Sequence, residues 1–456
     1  MIIKQLYTNC LAQASYYIES DGEVAIIDPI RDISDYVDLI GSKKLKYILE
    51  THFHADFVSG HLELAKKYSA PIIYGPNASP NYNFLLKKDG EILELGNIKF
   101  KIIHTPGHTL ESISYLLLDE KGMEHAVFTG DTLFIGDVGI PDVAQRYEGT
   151  TKEELASILY KSLQKLKTLN NDVIVFPGHG KGTQCGKNLS SETYSTIGEQ
   201  KKFNYALNFK NKSEFIKSIC SNIPEPPNYF IETVNKNAEG YKLSHDLYDS
   251  LHALTQSELT EYINDDNYCI IDTRSTDNFA RKHIKNSINI SLTGSFAVSA
   301  GNLIDVNKKI LLVCDIEYHK ESFIRLLRVG FDNITGYLNT SIDSWIDDEY
   351  IDSIDQTTSE HLKIFKHHHI IDVRTKSEYK NSHLKKSVNL PLYELNKSIK
   401  ILDRSEKYLV HCQTGYRSMI ASSILKRDGF DITEIKDGFK GFLDKKSKKI
   451  VLPSPK

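Results

Sequence analysis

Apolar residues in the first half of the chain fall into short β-branched and aromatic runs separated by turn residues. YYIES, then Asp21-Gly22, then EVAIIDP has the pattern of a hairpin. Polar/apolar spacing predicts a helix over about 33–44, and the apolar run KYILE then leads into THFHAD. The later runs IKFKIIH, HAVFTGD and DVIVFPGHG each lead into a glycine-containing turn that carries His or Asp. Helical spacing returns at 151–169 and again at 190–220. Together these elements predict an α/β domain with a mixed sheet over residues 1–240. The segment IPEPPNYF (223–230) carries three prolines, cannot continue a helix, and is the best linker candidate.

The second half repeats itself. Residues 270–290 read IIDTRSTDNFARKHIKNSINI, and 370–390 read IIDVRTKSEYKNSHLKKSVNL. Ile271/Ile371, Asp272/Asp372, Arg274/Arg374, His283/His383, Ser287/Ser387 and Asn289/Asn389 coincide. ILLVC ends at Cys314 and YLVHC at Cys412, and GFDNI echoes GFDIT. A period of about 100 residues exceeds the ~20–50 of a solenoid unit and fits a duplicated domain. Each copy alternates strand-like and helix-like stretches, which implies a parallel sheet with helices on both faces. We place the copies at 245–350 and 356–450, giving an α/β multidomain chain.

Composition narrows the classes. A chain of 456 residues suggests about three domains. With 60 acidic against 56 basic residues the formal net charge is −4, without the basic footprint of a nucleic-acid binder. No apolar run approaches the ~18–20 residues of a membrane span, and Met1 to Tyr7 reads as a strand rather than an export signal. Six unpaired cysteines, at 10, 185, 220, 269, 314 and 412, favour a reducing cytoplasm.

Metal-capable side chains gather at predicted strand ends: His52, His54 and Asp56 in T-H-F-H-A-D, His108 in T-P-G-H, Asp131 in T-G-D and His179 in P-G-H-G. Glycine and proline turns aim such side chains back at a sheet edge, and clustered His/carboxylate sets are the form metal sites take. These motifs resemble the metallo-β-lactamase superfamily, which implies an αββα sandwich over 1–240 with metal at one sheet edge. Thioester-hydrolysing members use H-x-H-x-D-H and two metals; here Phe57 follows Asp56, and a hydrocarbon ring cannot coordinate. With one metal, His52, His108 and Asp131 form the two-His-one-carboxylate set of non-haem Fe(II) oxygenases. His54, Asp56 and His179 would then orient ligands or hold water. The arrangement resembles the persulfide dioxygenases, which implies one Fe(II) per chain and oxidation of a thiol persulfide by O2 to thiol and sulfite. Similar enzymes carry Arg before the P-D pair where this chain has Ile140, which argues against glutathione as the carrier thiol. Cys185, six residues past His179, has two open readings: a reactive thiol facing the iron pocket, or a small buried residue filling a turn.

In the last domain a strand leads through His411 into Cys412-Gln413-Thr414-Gly415-Tyr416-Arg417-Ser418, where a helix begins. Converging backbone amides, a helix N-terminus and a cation favour a thiolate. Gly415 lets the loop curl so that its amides point inward, and Arg417 adds fixed charge. The segment resembles the rhodanese active-site loop. Its six-residue span from Cys to Arg implies a sulfurtransferase rather than a phosphatase-type domain. Cys412 is the expected persulfide carrier, cradled by Gln413, Thr414, Gly415, Tyr416 and Arg417, with Asp372 expected to orient Arg417. The middle copy has Asp315, Glu317 and Glu321 after Cys314 and no matching Gly or Arg, so it reads as degenerate. His367-His368-His369 enters a strand, where neighbours face opposite ways, and reads as solvated.

The resemblance spans nearly the whole chain and implies a persulfide dioxygenase–rhodanese fusion. Such a protein oxidises a persulfide to sulfite and passes sulfane sulfur through Cys412 to give thiosulfate, and the reverse order of the two steps is equally open. It also implies a homo-oligomer, dimer or tetramer. The competing readings are a glyoxalase II-like thioester hydrolase with zinc or two metals, and a sulfur carrier without turnover.

Overall fold

The computed structural model describes residues 1–456 apart from 142–148, 184, 188, 222, 224, 346–347, 445–449 and 452–456. Its first compact unit comprises Met1–Asp246 with Leu327–Gly330. Strands β1 (Ile2–Thr8), β2 (Gln13–Ser20), β3 (Glu23–Ile27), β4 (Lys44–Leu49), β5 (Ile72–Tyr74) and β6 (Leu85–Leu86) form one sheet in that order. It is antiparallel as far as β3 and parallel from β3 to β6, with helices α1 (Ser34–Ile40) and α2 (His61–Tyr68) in the first two parallel connections. Strands β7 (Ile92–Leu95), β8 (Ile98–His104), β9 (Ile113–Leu118), β10 (Glu124–Gly130), β11 (Ile174–Pro177) and β12 (Ser195–Thr196) form the second. Only its β10–β11 pair is parallel.

The sandwich follows from strands that are apolar on both faces. Phe100, Ile102, Tyr115, Leu117, Ala126 and Phe128 point inward against Tyr16, Ile18, Ile27 and Leu49 of the first sheet. Their neighbours Ile103, Leu116 and Val127 face the other way, onto helix α3 (Lys152–Lys167). That helix offers Leu155, Leu159, Leu163 and Leu166 on one face, each buried leucine contributing about 2 kcal/mol. Its start is fixed by Thr151, whose Oγ1 accepts from Glu154 N at 3.1 Å while Glu154 Oε2 accepts from Thr151 N at 2.8 Å. The predicted linker at 223–230 instead leads into a helix of this same unit, α4 (Phe230–Glu239); Pro224 lies outside the described residues.

The second compact unit, Leu247–Leu326 with Phe331–Lys456, holds both repeats. Each is a five-stranded parallel sheet of the same strand order. The first runs His252–Leu254, Ile334–Leu338, Lys309–Val313, Tyr268–Asp272, Ile288–Asn289. The second runs Asp355–Thr357, Asp431–Ile435, Lys407–His411, His369–Asp372, Ser387–Asn389. The repeated residues build identical joints. Arg274 Nη2 reaches Asp272 Oδ2 at 2.6 Å, and Arg374 reaches Asp372 at the same distance. Asn289 and Asn389 each donate to the carbonyls of both residues of their pair. His283 stacks on Phe279 at 3.9 Å and His383 on Tyr379 at 4.0 Å. The two copies also bind each other: Asn289 N donates to Ser423 Oγ at 3.1 Å, and Tyr416 Oη to the Ser291 carbonyl at 3.3 Å. No helix among the described residues is long and apolar enough to cross a membrane.

Candidate functional site

Two chemical centres lie at strand ends, one in each unit. In the first, β4 ends at Leu49, three residues before His52, and β10 ends directly before Asp131. His108 follows Gly107, which has φ +137° and packs against the Leu159 backbone so closely that a Cβ has no room. His52 Nε2 and His108 Nε2 lie 3.9 and 3.6 Å from Asp131 Oδ2, an atom without a hydrogen-bond partner among the described residues. All three side chains are buried.

The hydrogen bonds around this triad fix its tautomers. Ile140 O, which can only accept, lies 2.7 Å from His108 Nδ1, so that nitrogen carries the proton. Thr51 Oγ1 donates to Asp28 Oδ2 at 2.8 Å and so accepts from His52 Nδ1 at 2.9 Å. Both Nε2 lone pairs therefore face the bare Asp131 oxygen, as ligands to one cation require. Asp131 Oδ1 is taken by His179 Nδ1 at 2.7 Å. His179 Nε2 lies 2.7 Å from Asp56 Oδ2, off the line of a hydrogen bond. Burial opposes charge on His179, but the Asp131 and Asp56 carboxylates outweigh it and hold the ring well above its ordinary value. Burial lowers His52 well below its ordinary value, helped by His54.

Cys185 is buried, and its sulfur lies within 4.8 Å of ligand atoms of Asp56 and His179. Burial and the two carboxylates, Asp56 before Asp131, push its thiol well up. His54 turns away from the triad, with Nε2 3.1 Å from Asp28 Oδ1 and 3.8 Å from Glu50 Oε2, and Phe57 covers it at 4.2 Å between ring centroids. Sequence reasoning missed Asp28 and Glu50, although each sits directly after a strand, as Asp131 does. It also missed Asn237 in α4. Asn237 Nδ2 donates to the carbonyls of His54 and Phe57 at 2.8 Å each, and Oδ1 accepts from Ser59 N at 2.8 Å, so one side chain holds the H-x-H-x-D loop.

In the second unit, strand Lys407–His411 ends at Cys412, and helix Tyr416–Arg427 starts three residues after Cys412's neighbour Gln413. Gly415 takes φ +106°, where a Cβ would stand 2.6 Å from Lys436 O. That curl aims Gly415 N at Cys412 Sγ, 3.2 Å away. Phe439 N donates to Cys412 O at 2.7 Å and Lys440 N to Gln413 O at 3.0 Å, pinning the loop from below. Thr414 is exposed, while Gln413, Tyr416 and Arg417 are half-buried.

One expectation is corrected. Asp372 does not orient Arg417, because it is engaged by Arg374. Arg417 is instead gripped by Glu378, with Nη1–Oε2 and Nη2–Oε1 both 2.7 Å. Burial alone would raise the Glu378 carboxyl, but the Arg417 hydrogen bond and the Thr375 amide hold it down at about 2. Arg374 spans from Asp372 to the loop itself, its Nη1 reaching Gln413 Oε1 at 3.3 Å over the Phe439 ring. In the first copy, burial and then the Asp272, Asp315 and Glu317 carboxylates push Cys314 up to about 12. His367 and His369 are exposed and His368 is half-buried.

Comparison with known proteins places these centres in context. Residues 8–179 match the Metallo-beta-lactamase superfamily, and residues 255–348 and 357–445 match the Rhodanese-like domain. A probable hydroxyacylglutathione hydrolase of Schizosaccharomyces pombe is 33% identical over 41% of this chain and 78% of its own length. The hydroxyacylglutathione hydrolase GloC of Haemophilus influenzae is 30% identical over 42% of this chain and 91% of its own. A crystal structure of a metallo-beta-lactamase from Staphylococcus aureus subsp. aureus COL has a TM-score of 0.65 at 32% identity, covering 74% of this chain and 98% of that one.

Proposed function

The chain belongs to the metallo-beta-lactamase superfamily and carries two rhodanese-like domains, and from that premise we propose a bifunctional sulfur-oxidising and sulfur-transferring enzyme. Its first reaction is R–SSH + O2 + H2O giving R–SH, sulfite and two protons. Its second moves a sulfane sulfur through Cys412 onto sulfite. The observation that carries the reading is the division of labour on Asp131: Oδ2 is bare between two Nε2 lone pairs, while Oδ1 is already held by His179. That leaves one Asp131 oxygen beside two imidazole lone pairs, the donor set for a single ion.

His52, His108 and Asp131 would hold one ferrous ion. Such an ion would supply open coordination positions and redox chemistry for oxidation of a persulfide by O2. The chain's own residues do the rest. Thr51 and the Ile140 carbonyl keep the imidazoles in the ligating tautomer, and His179 fixes the Asp131 plane. Burial of all of these restricts water at the centre. In the last domain, Gly415 N and the Arg417–Glu378 pair set the loop around Cys412 Sγ. Sulfite attacks the outer sulfur of Cys412–S–S⁻; thiosulfate leaves and the thiolate returns to the loop amides.

Metal content and O2 stoichiometry test the reading. We expect one iron per chain, one O2 consumed per persulfide, and loss of both in His52→Ala. Cys412→Ser should stop thiosulfate formation while O2 uptake continues; thiosulfate at the wild-type rate would refute the role of Cys412. The names of the curated relatives favour a second reading, a thioester hydrolase, with Asp56, His179 and Cys185 as a further ligand set. Two zinc ions with thioester turnover and no O2 uptake would establish it instead.

A further inference from the structure

Beneath the cysteine loop lies a carboxyl group that sulfur transfer, as described, does not use. Glu434, in the strand Asp431–Ile435, is buried. Its Oε1 accepts from Ser418 Oγ at 2.7 Å and its Oε2 from Gln356 Nε2 at 2.8 Å. Ser418 is the residue after Arg417. Its hydroxyl also reaches Gly415 O at 2.9 Å and Cys412 Sγ at 3.5 Å. One hydroxyl hydrogen thus faces three acceptors, and Glu434 decides among them. An ionised carboxylate draws the hydrogen to itself. A neutral carboxyl donates its own hydrogen to Ser418 Oγ and leaves the serine hydrogen for the sulfur.

Charged groups surround this relay. Lys436 faces Glu434 from its own strand end, and Asp277 from helix Thr276–Arg281 of the first copy. On the sulfur side stand Arg417, tied to Glu378, and His411 with the Asp372–Arg374 pair. Burial holds the Glu434 proton up to about 7 and Asp277 pushes the same way, against the Gln356 and Ser418 hydrogen bonds and Lys436.

We infer that Glu434 is a positioning residue that, through Ser418, governs the charge on the Cys412 sulfur. Neutral, it frees the Ser418 hydroxyl to hold the thiolate. Ionised, it withdraws that hydroxyl from the sulfur. This rests on Cys412 as the sulfur carrier. In loading, Cys412–S⁻ attacks the outer sulfur of R–S–S⁻. A new S–S bond forms, the old one breaks, and its electron pair leaves with R–S⁻, which takes a proton from water. In unloading, the sulfite lone pair takes that sulfur and Cys412–S⁻ is restored. The thiolate enters and ends each cycle, so its stabilisation by Ser418 acts on both steps.

The test is the rate of iodoacetamide alkylation at Cys412, read by mass spectrometry of its peptide in the full chain as pH is raised. In Glu434→Gln, Gln356 keeps the amide oxygen on its side and turns the amide nitrogen toward Ser418, mimicking neutral Glu434 at every pH. The two proteins should react alike below about pH 6, and the variant about tenfold faster above about pH 8. In a Ser418→Ala background the same substitution should change little, and Ser418→Thr should restore the difference. Gln356→Leu removes a donor to the carboxylate and should move the wild-type step to higher pH. Parallel profiles for wild type and E434Q, an undiminished E434Q effect without Ser418, or an unmoved step in Q356L would each overturn the inference. Alkylation needs no sulfur donor, so this result is separate from whether Cys412 takes up a persulfide, which a +32 Da shift of the same peptide reads (about the mass of one sulfur atom).

Discussion

Asp131 works with each of its two oxygens separately, and the consequences can be measured. Removing the ligand itself, in Asp131→Asn, should abolish tight metal binding. Removing its outer partner, in His179→Ala, should weaken it about 10–100-fold, read by competition with a chromogenic chelator. Equal losses in the two variants would mean that His179 is itself a ligand. The Glu378–Arg417 pair has its own signature in acid. Glu378 is held at about 2, below the ~4.3 of an unfolded chain. A lowered carboxyl contributes stability that is complete above the unfolded value and is lost as pH falls through the folded one. The urea midpoint of wild type should therefore exceed that of Glu378→Gln near neutrality, and the gap should close between about pH 4 and about pH 2. A gap that stays constant across that window would refute the pairing.

At the scale of elements, the repeat in the sequence turns out to describe joints rather than catalysis. Asp272, Arg274, His283, Ser287 and Asn289 recur because each copy needs the same braces between strand, turn and helix. Breaking a buried pair leaves one charge uncompensated, so Arg274→Ala should destabilise its unit by about 3–5 kcal/mol in urea unfolding. Arg374→Ala should cost similarly and, because Arg374 also reaches Gln413, should slow sulfur transfer as well. The strands, their order of apolar runs and the His/Asp strand ends were legible because they depend on local periodicity and turn residues. What escaped depends on contacts distant in sequence. Asn237 lies in NKNAEG, a stretch with no chemical signature, yet folding brings it 2.8 Å from the His54 carbonyl. Glu378 closes the capping box of helix Lys376–Asn381, and its grip on Arg417 crosses 39 residues. Asn237→Ala should lower metal retention while leaving the helix content intact, since it removes three hydrogen bonds to the ligand loop and no backbone bond of α4.

For the whole molecule, the two centres should be separable. Chelation that strips the metal should end O2 uptake but leave persulfide formation on Cys412, because among the described residues the groups that hold its loop belong to the second unit. Loss of both together would show that sulfur reaches Cys412 only by way of the metal. In the middle copy, burial and neighbouring carboxylates push Cys314 up to about 12, which disfavours a thiolate there. That copy is nonetheless built into the other. The Tyr416 ring of the cysteine loop lies on Gly294, where any side chain would collide with it, and its hydroxyl is held by the Ser291 carbonyl. Duplicated domains that lose their chemistry are ordinarily released to drift. Here the packing of Tyr416 on Gly294 still constrains the middle copy, so an alignment of relatives should show freedom around Cys314 and paired change at position 294 and the ring it shelters.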